Sequence, residues 1–186
     1  MPILGTVASQ FSSKPFGSYE SIQTITVGAG GSSGISFTSI PATYTHLQVR
    51  GIWAHSTTNV AAVIGFNSSS PSYTQHLISG NGESSVSAGA NRSVDGITGI
   101  GMTIACPSGS GGFGSSVVDI LDYTNTNKYK TVKAFTGQNV NGDGRIRMYS
   151  GIWVNTNAIS SIQITPNSST FLQYTRFALY GIKGAA

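Results

Sequence analysis

The chain has 186 residues, of which 39% are hydrophobic and only 9% are charged, with ten basic and six acidic side chains giving a formal net charge of +4. That length supports one domain with a full core, and so little charge, against roughly a quarter of residues in an ordinary soluble domain, leaves no basic stripe for a nucleic-acid backbone. The lone cysteine, Cys106, excludes an intrachain disulfide framework and a cysteine-based zinc cluster. Its neighbours Met102, Ile104 and Ala105 predict a buried thiol.

Residues 1–19 carry Pro2, Pro15 and two glycines instead of a strand period, yet include the apolar points Ile3, Leu4, Val7, Phe11 and Phe16. A purely solvated tail has no use for those side chains, so the segment reads as an extended attachment arm that orders on a partner surface. It lacks the basic start and apolar core of a signal peptide, and nowhere in the chain is there an apolar run of about 18 residues, so neither export by the usual route nor membrane insertion is expected.

From residue 20 to 186 the pattern is short alternating runs broken by Gly, Pro, Asn and Ser, with no helical stripe. Strands are predicted near 20–28, 34–39, 45–54, 59–66, 73–79, 97–105, 115–123, 128–137, 145–154, 158–165 and 171–182. In THLQVRGIWA, Leu47, Val49 and Trp53 alternate with His46, Gln48 and Arg50, the signature of a sheet with one dry and one wet face, and Arg50 is expected on the wet one. The closing run from Phe177 is apolar on both faces and predicts a central or interface strand. About eight to eleven short strands without helices indicate an all-β fold, a jelly-roll-type β-sandwich carrying an N-terminal arm.

The stretch LDYTNTNKYKT, residues 121–131, gathers charge in a chain poor in it. A loop over Thr124–Asn127 would put Tyr123 opposite Lys128, Leu121 opposite Lys130 and Asp119 opposite Val132, with Asp119 diagonal to Lys130. The odd spacing of Asp119 and Asp122 along a strand turns them to opposite faces, so they do not form an acid and base pair. Asp119, Asp122, Lys128 and Lys130 therefore read as a structural hairpin, with Asn side chains satisfying turn amides.

NVNGDGR, residues 139–145, resembles half of a calcium loop, but Ser150 stands where the bidentate acid belongs, so a glycine-rich turn is expected. His46, His55 and His76 follow no metal-ligand spacing. The glycine clusters at 29–34 and 108–114 lack the lysine of a phosphate loop and read as loop tips. No catalytic, cofactor or metal site is expected. Tyr44, Trp53, Tyr73, Tyr149, Trp153 and Tyr174 exceed what one sheet face buries, so they are either interface or sugar-stacking aromatics or the core of a sandwich. With the apolar last strand, they predict a homotrimer.

Through MPILGTVASQFSS, SIPATYTHLQVRGIW, HLISGNG, VVDILDYTNTNKYKTV, SGIWVNT, SSIQITPNSSTF and FALYGIKG the chain resembles small tailed-bacteriophage virion structural proteins over nearly its whole length. The resemblance implies a non-enzymatic structural protein, assembled in the host bacterial cytoplasm and carried on the virion. Its partners would be the major capsid protein or a tail protein. Within that group the sequence suits a capsid decoration or cement protein, and in second place a tail-fibre or receptor-binding appendage that recognises host glycan. No shaft repeat is present, which sets the chain apart from a long fibre.

Overall fold

The computed structural model describes residues 17–57, 61–68, 72–82, 86–91, 99–104, 106–107, 111–139 and 144–184. The arm residues Ile3, Leu4, Val7, Phe11 and Phe16 lie outside the described residues, as do residues 140–143 of the NVNGDGR segment, Asp143 among them. The strands in chain order are β1 (Tyr19–Thr26), β2 (Ile35–Phe37), β3 (His46–His55), β4 (Ala61–Phe66), β5 (Tyr73–Gly80), β6 (Val86–Asn91) and β7 (Ile100–Ile104). They are followed by β8 (Cys106–Pro107), β9 (Gly114–Leu121), β10 (Lys130–Asn139), β11 (Gly144–Trp153), β12 (Ile162–Pro166) and β13 (Arg176–Ile182). No helix occurs among the described residues.

The strands form two sheets packed as a sandwich. The larger runs β1-β13-β3-β9-β10-β11-β5-β6, with β8 added to β3, and the smaller runs β2-β12-β4-β7. All pairings are antiparallel except that of β3 with β8. The expectation of an all-β sandwich is met, and β13 lies inside the larger sheet between β1 and β3, as its two apolar faces require.

Strict period-two alternation fills the space between the sheets. Leu47, Val49 and Trp53 of β3, Val118 and Ile120 of β9, and Phe177 and Leu179 of β13 face Ile35, Phe37, Ile64, Phe66, Ile162 and Ile164 of the smaller sheet, all buried. Trp53 meets Phe171 edge-on at 5.7 Å and donates its indole N–H to Ser116 Oγ at 3.0 Å, so its one polar atom is satisfied in the core.

Three expectations are corrected. The strand β6 was missed because VSAGAN is a run of small residues with no apolar period. Residues 171–175 do not continue β13: Tyr174 takes a positive φ of 70°, and Thr175 turns inward to bond the backbone of Ala54. The β9–β10 connection is longer than expected, and the register differs by one: Asp119 lies opposite Lys133, and Leu121 opposite Thr131.

Candidate functional site

The charged hairpin is built around a buried lysine. Lys130 is fully buried, and its Nζ donates to the carbonyls of Asn125, Lys128 (3.1 Å) and Thr156 (2.9 Å), so the ammonium satisfies loop carbonyls that no strand pairs. This corrects the diagonal pairing of Lys130 with Asp119. Burial, helped by the positive charge of Lys128, pulls the Lys130 pKa down. Asp122 opens the loop at φ 48°, a left-handed position that aspartate tolerates, and is ion-paired with Lys128. Its amide donates to His46 Nδ1 at 3.0 Å. Asp119, on the outer face, instead accepts from Gln48 Nε2 at 2.7 Å. Each of the four residues is spent on holding the turn or its flanking strands.

The six aromatics divide unevenly. Trp53, Tyr73, Tyr149 and Trp153 are buried and belong to the core, so the reading of them as interface residues is overturned: odd positions in β3, β5 and β11 all face inward. Tyr44 is half-buried, with its hydroxyl 3.1 Å from Glu20 Oε2. Only Tyr174 stands out, 67% exposed. His46 sits at the hairpin, His55 is buried, and His76 is on the outer face, so the structure does not bring the three together. Among the described residues no three acidic, His or Cys side chains form a metal-binding group. Burial pushes the Cys106 thiol up.

The surface that does stand out lies on the outer face of the larger sheet, and its two halves differ. Across β1, β13, β3 and β9 the outward side chains bond one another. Tyr19 stacks on Tyr180 at 4.7 Å, its hydroxyl donates to Gln48 Oε1 at 2.6 Å, Arg50 donates to the same oxygen at 2.8 Å and lies over the Tyr19 ring, and Gln48 holds Asp119. That half satisfies itself.

The other half does not. Val117, Phe135, Met148, Ile78 and Ala88 are consecutive cross-strand partners over β9, β10, β11, β5 and β6, a single apolar ridge running across the sheet. Phe135, Met148 and Ile78 are each more than half exposed, and Ile146 and Val86 lie in the adjoining row. Each of these five side chains is more than half exposed, and a contiguous apolar patch of this kind is often functional. Along the other side runs a polar row, Asp119, Lys133, Ser150 and His76. An apolar strip with a polar margin is the anatomy of a protein interface. The ridge runs off the sheet at β6, an edge strand that pairs with no described strand but β5.

Sequence reasoning missed these residues, although a signal was present. In RIRMYSGIW, Trp153 fixes the inward phase, which throws Ile146, Met148 and Ile152 outward. Comparison with family models, with curated proteins and with solved structures returns no match for this chain.

Proposed function

We propose that this chain is a non-enzymatic virion structural protein of a tailed bacteriophage, a surface-exposed decoration or cement protein that assembles as a homotrimer and stabilises the particle. The observation that carries the assembly reading is the exposed ridge of Phe135, Met148 and Ile78, an apolar surface that a lone sandwich leaves in water. Its occupant is a second copy of the chain: the ridge continues onto the open edge of β6, where a neighbouring copy gains both apolar burial and strand pairing. The particle itself comes from the resemblance to phage virion proteins, and the segment 1–16, with its spaced apolar residues, supplies the anchor to the capsid.

The test is to add full-length protein and a form lacking residues 1–16 to virions that lack the protein, and to count bound copies. Full-length protein should bind in many copies over the head, and the truncated form should fold but not bind. Equal binding of the two forms would sink the arm as the anchor. A few copies confined to the tail would favour the second reading, a tail appendage that recognises host glycan, to which the exposed rings of Tyr129 and Tyr174 are suited.

A further inference from the structure

At the end of the larger sheet where β1 and β3 finish and β9 and β13 begin, the loop residues 29–31, 111–113 and 170–174 and the end of β3 enclose a cleft of about 450 Å³. That lies within the roughly 300–1,000 Å³ of small-molecule sites. Two aromatic rings border it, Phe113 at 39% and Tyr174 at 67% exposed. Tyr174 holds an unusual position: its φ of 70° is left-handed, an outlier for so bulky a residue, where glycine or asparagine fits at less cost. The turn that imposes this angle is tied down on both sides. The Tyr174 amide donates to the Val27 carbonyl at 3.0 Å, and the buried Thr175 hydroxyl donates to the Ala54 carbonyl at 3.3 Å. The Tyr174 ring itself stands in solvent and adds little to the core, so folding does not explain why a tyrosine carries the strain. Binding at the cleft does.

Gly30, also at the cleft, is the reverse case. It lies outside the left-handed region, and a β-carbon there would meet nothing within 4 Å, so neither backbone nor packing calls for glycine. Bare backbone at that point lets a ligand approach closely.

The lining decides what kind of ligand fits. Residues 27–34, 51–57, 105–116 and 165–175, the stretches that form the cleft, contain no Asp, Glu, Lys or Arg, so nothing in them selects a charged group. An extended peptide is disfavoured as well. The amides and carbonyls of Ala54 and Leu172 and the amides of Gly31 and Tyr174 are all bonded within the fold, so these walls offer no ladder for a strand to continue. Recognition falls to the two rings, the Gln173 amide and the Thr170 hydroxyl. A sugar uses that combination: the C–H face of an all-equatorial pyranose stacks on an aromatic ring while its hydroxyls meet amide and hydroxyl groups.

We infer that this cleft binds a neutral saccharide of all-equatorial pyranose units, with Tyr174 and Phe113 as stacking platforms and Gln173 and Thr170 hydrogen-bonding its hydroxyls. The inference rests on the glycan-recognition reading for its biological setting and deepens it by naming the ligand class, but the binding belongs to the free chain wherever it sits on the particle.

The experiment is calorimetric titration of the full chain with four probes: cellopentaose, chitopentaose, inorganic phosphate and a proline-rich peptide. One or both sugars should bind, with an affinity unchanged as salt is raised because no charge takes part, and phosphate should not bind. Tyr174→Asn should weaken sugar binding about tenfold while its denaturation midpoint equals or exceeds the parent's, since asparagine tolerates the left-handed backbone. Phe113→Ala, on the other ring, should weaken binding several-fold. Failure of both sugars to bind, preference for the peptide or phosphate, parent-strength binding by Tyr174→Asn, or a fall in that variant's midpoint would each overturn the assignment. Many copies on the head would remove the tail-appendage reading and leave sugar binding standing, whereas a chain that binds neither sugar would leave the virion reading standing, so the two fail separately.

Discussion

At the scale of single residues, the charges in this chain are few enough that each has a traceable task. Asp122 is the clearest. The hydrogen bond and charge of Lys128 hold its carboxyl below the usual aspartate range. A carboxyl whose folded pKa is depressed adds stability that is complete above its unfolded value, about 3.9, and that is lost as pH falls through the lower folded value. Asp122→Asn keeps a side chain that tolerates the left-handed backbone and removes the charge. The variant should therefore be less stable than the parent at pH 7, by no more than about 1 kcal/mol because the pair is solvent-exposed, and the gap should close near pH 2. Chemical denaturation at the two pH values reads it directly. Glu20 follows the same rule: its bond to Lys183 at 2.8 Å lowers its pKa and ties β1 to the end of β13.

At the scale of elements, close packing across strand pairs decides what is tolerated. Gly51 of β3 lies directly opposite Phe177 of β13, and a β-carbon at Gly51 would sit 2.3 Å from the Phe177 ring, which is itself buried against Trp53. The glycine is there to make room for the ring. Gly51→Ala should cost about 1–3 kcal/mol as an overpacked core, measurable as a drop in the denaturation midpoint, whereas alanine at Gly80, where a β-carbon meets nothing within 4 Å, should cost far less.

The same alternation explains what the sequence revealed and what it hid. Trp53, Leu47 and Val49 announced β3 because their period and their burial coincide. For β11 the two cues conflicted: Arg145 and Arg147 suggested a wet face, whereas Trp153 and Tyr149 placed that face inside, so both the outward ridge and the inward arginines escaped notice. The register of the β9–β10 hairpin was beyond period alone, because the inward turn of Lys130 toward the loop carbonyls lengthens the connection. VSAGAN, with neither period nor bulk, gave no sign of the edge strand β6.

At the scale of the whole molecule, the outer sheet face sets a dry half beside a self-bonded half, and the difference makes oligomerisation separable from folding. Phe135 and Met148 are 55% and 58% exposed, so replacing them does not open a cavity in the sandwich, and surface changes of this kind ordinarily shift stability by only about 0.5 kcal/mol. In an assembled trimer those side chains occupy the dry centre of a contact, where carboxylates would be buried without cationic partners, at a cost of several kcal/mol per contact. The double variant Phe135→Glu, Met148→Glu should therefore keep the parent's β-sheet circular dichroism and lose the trimer, running as monomer in native mass measurement at concentrations where the parent runs as trimer. Lys133→Ala, in the polar row beside the ridge, should leave the trimer in place, because rim charges contribute little to affinity. A trimer that survives both glutamates would move the contact to another surface. A parent that is monomeric at tens of micromolar would remove the ridge as a self-association surface and leave it for a capsid or tail protein to cover.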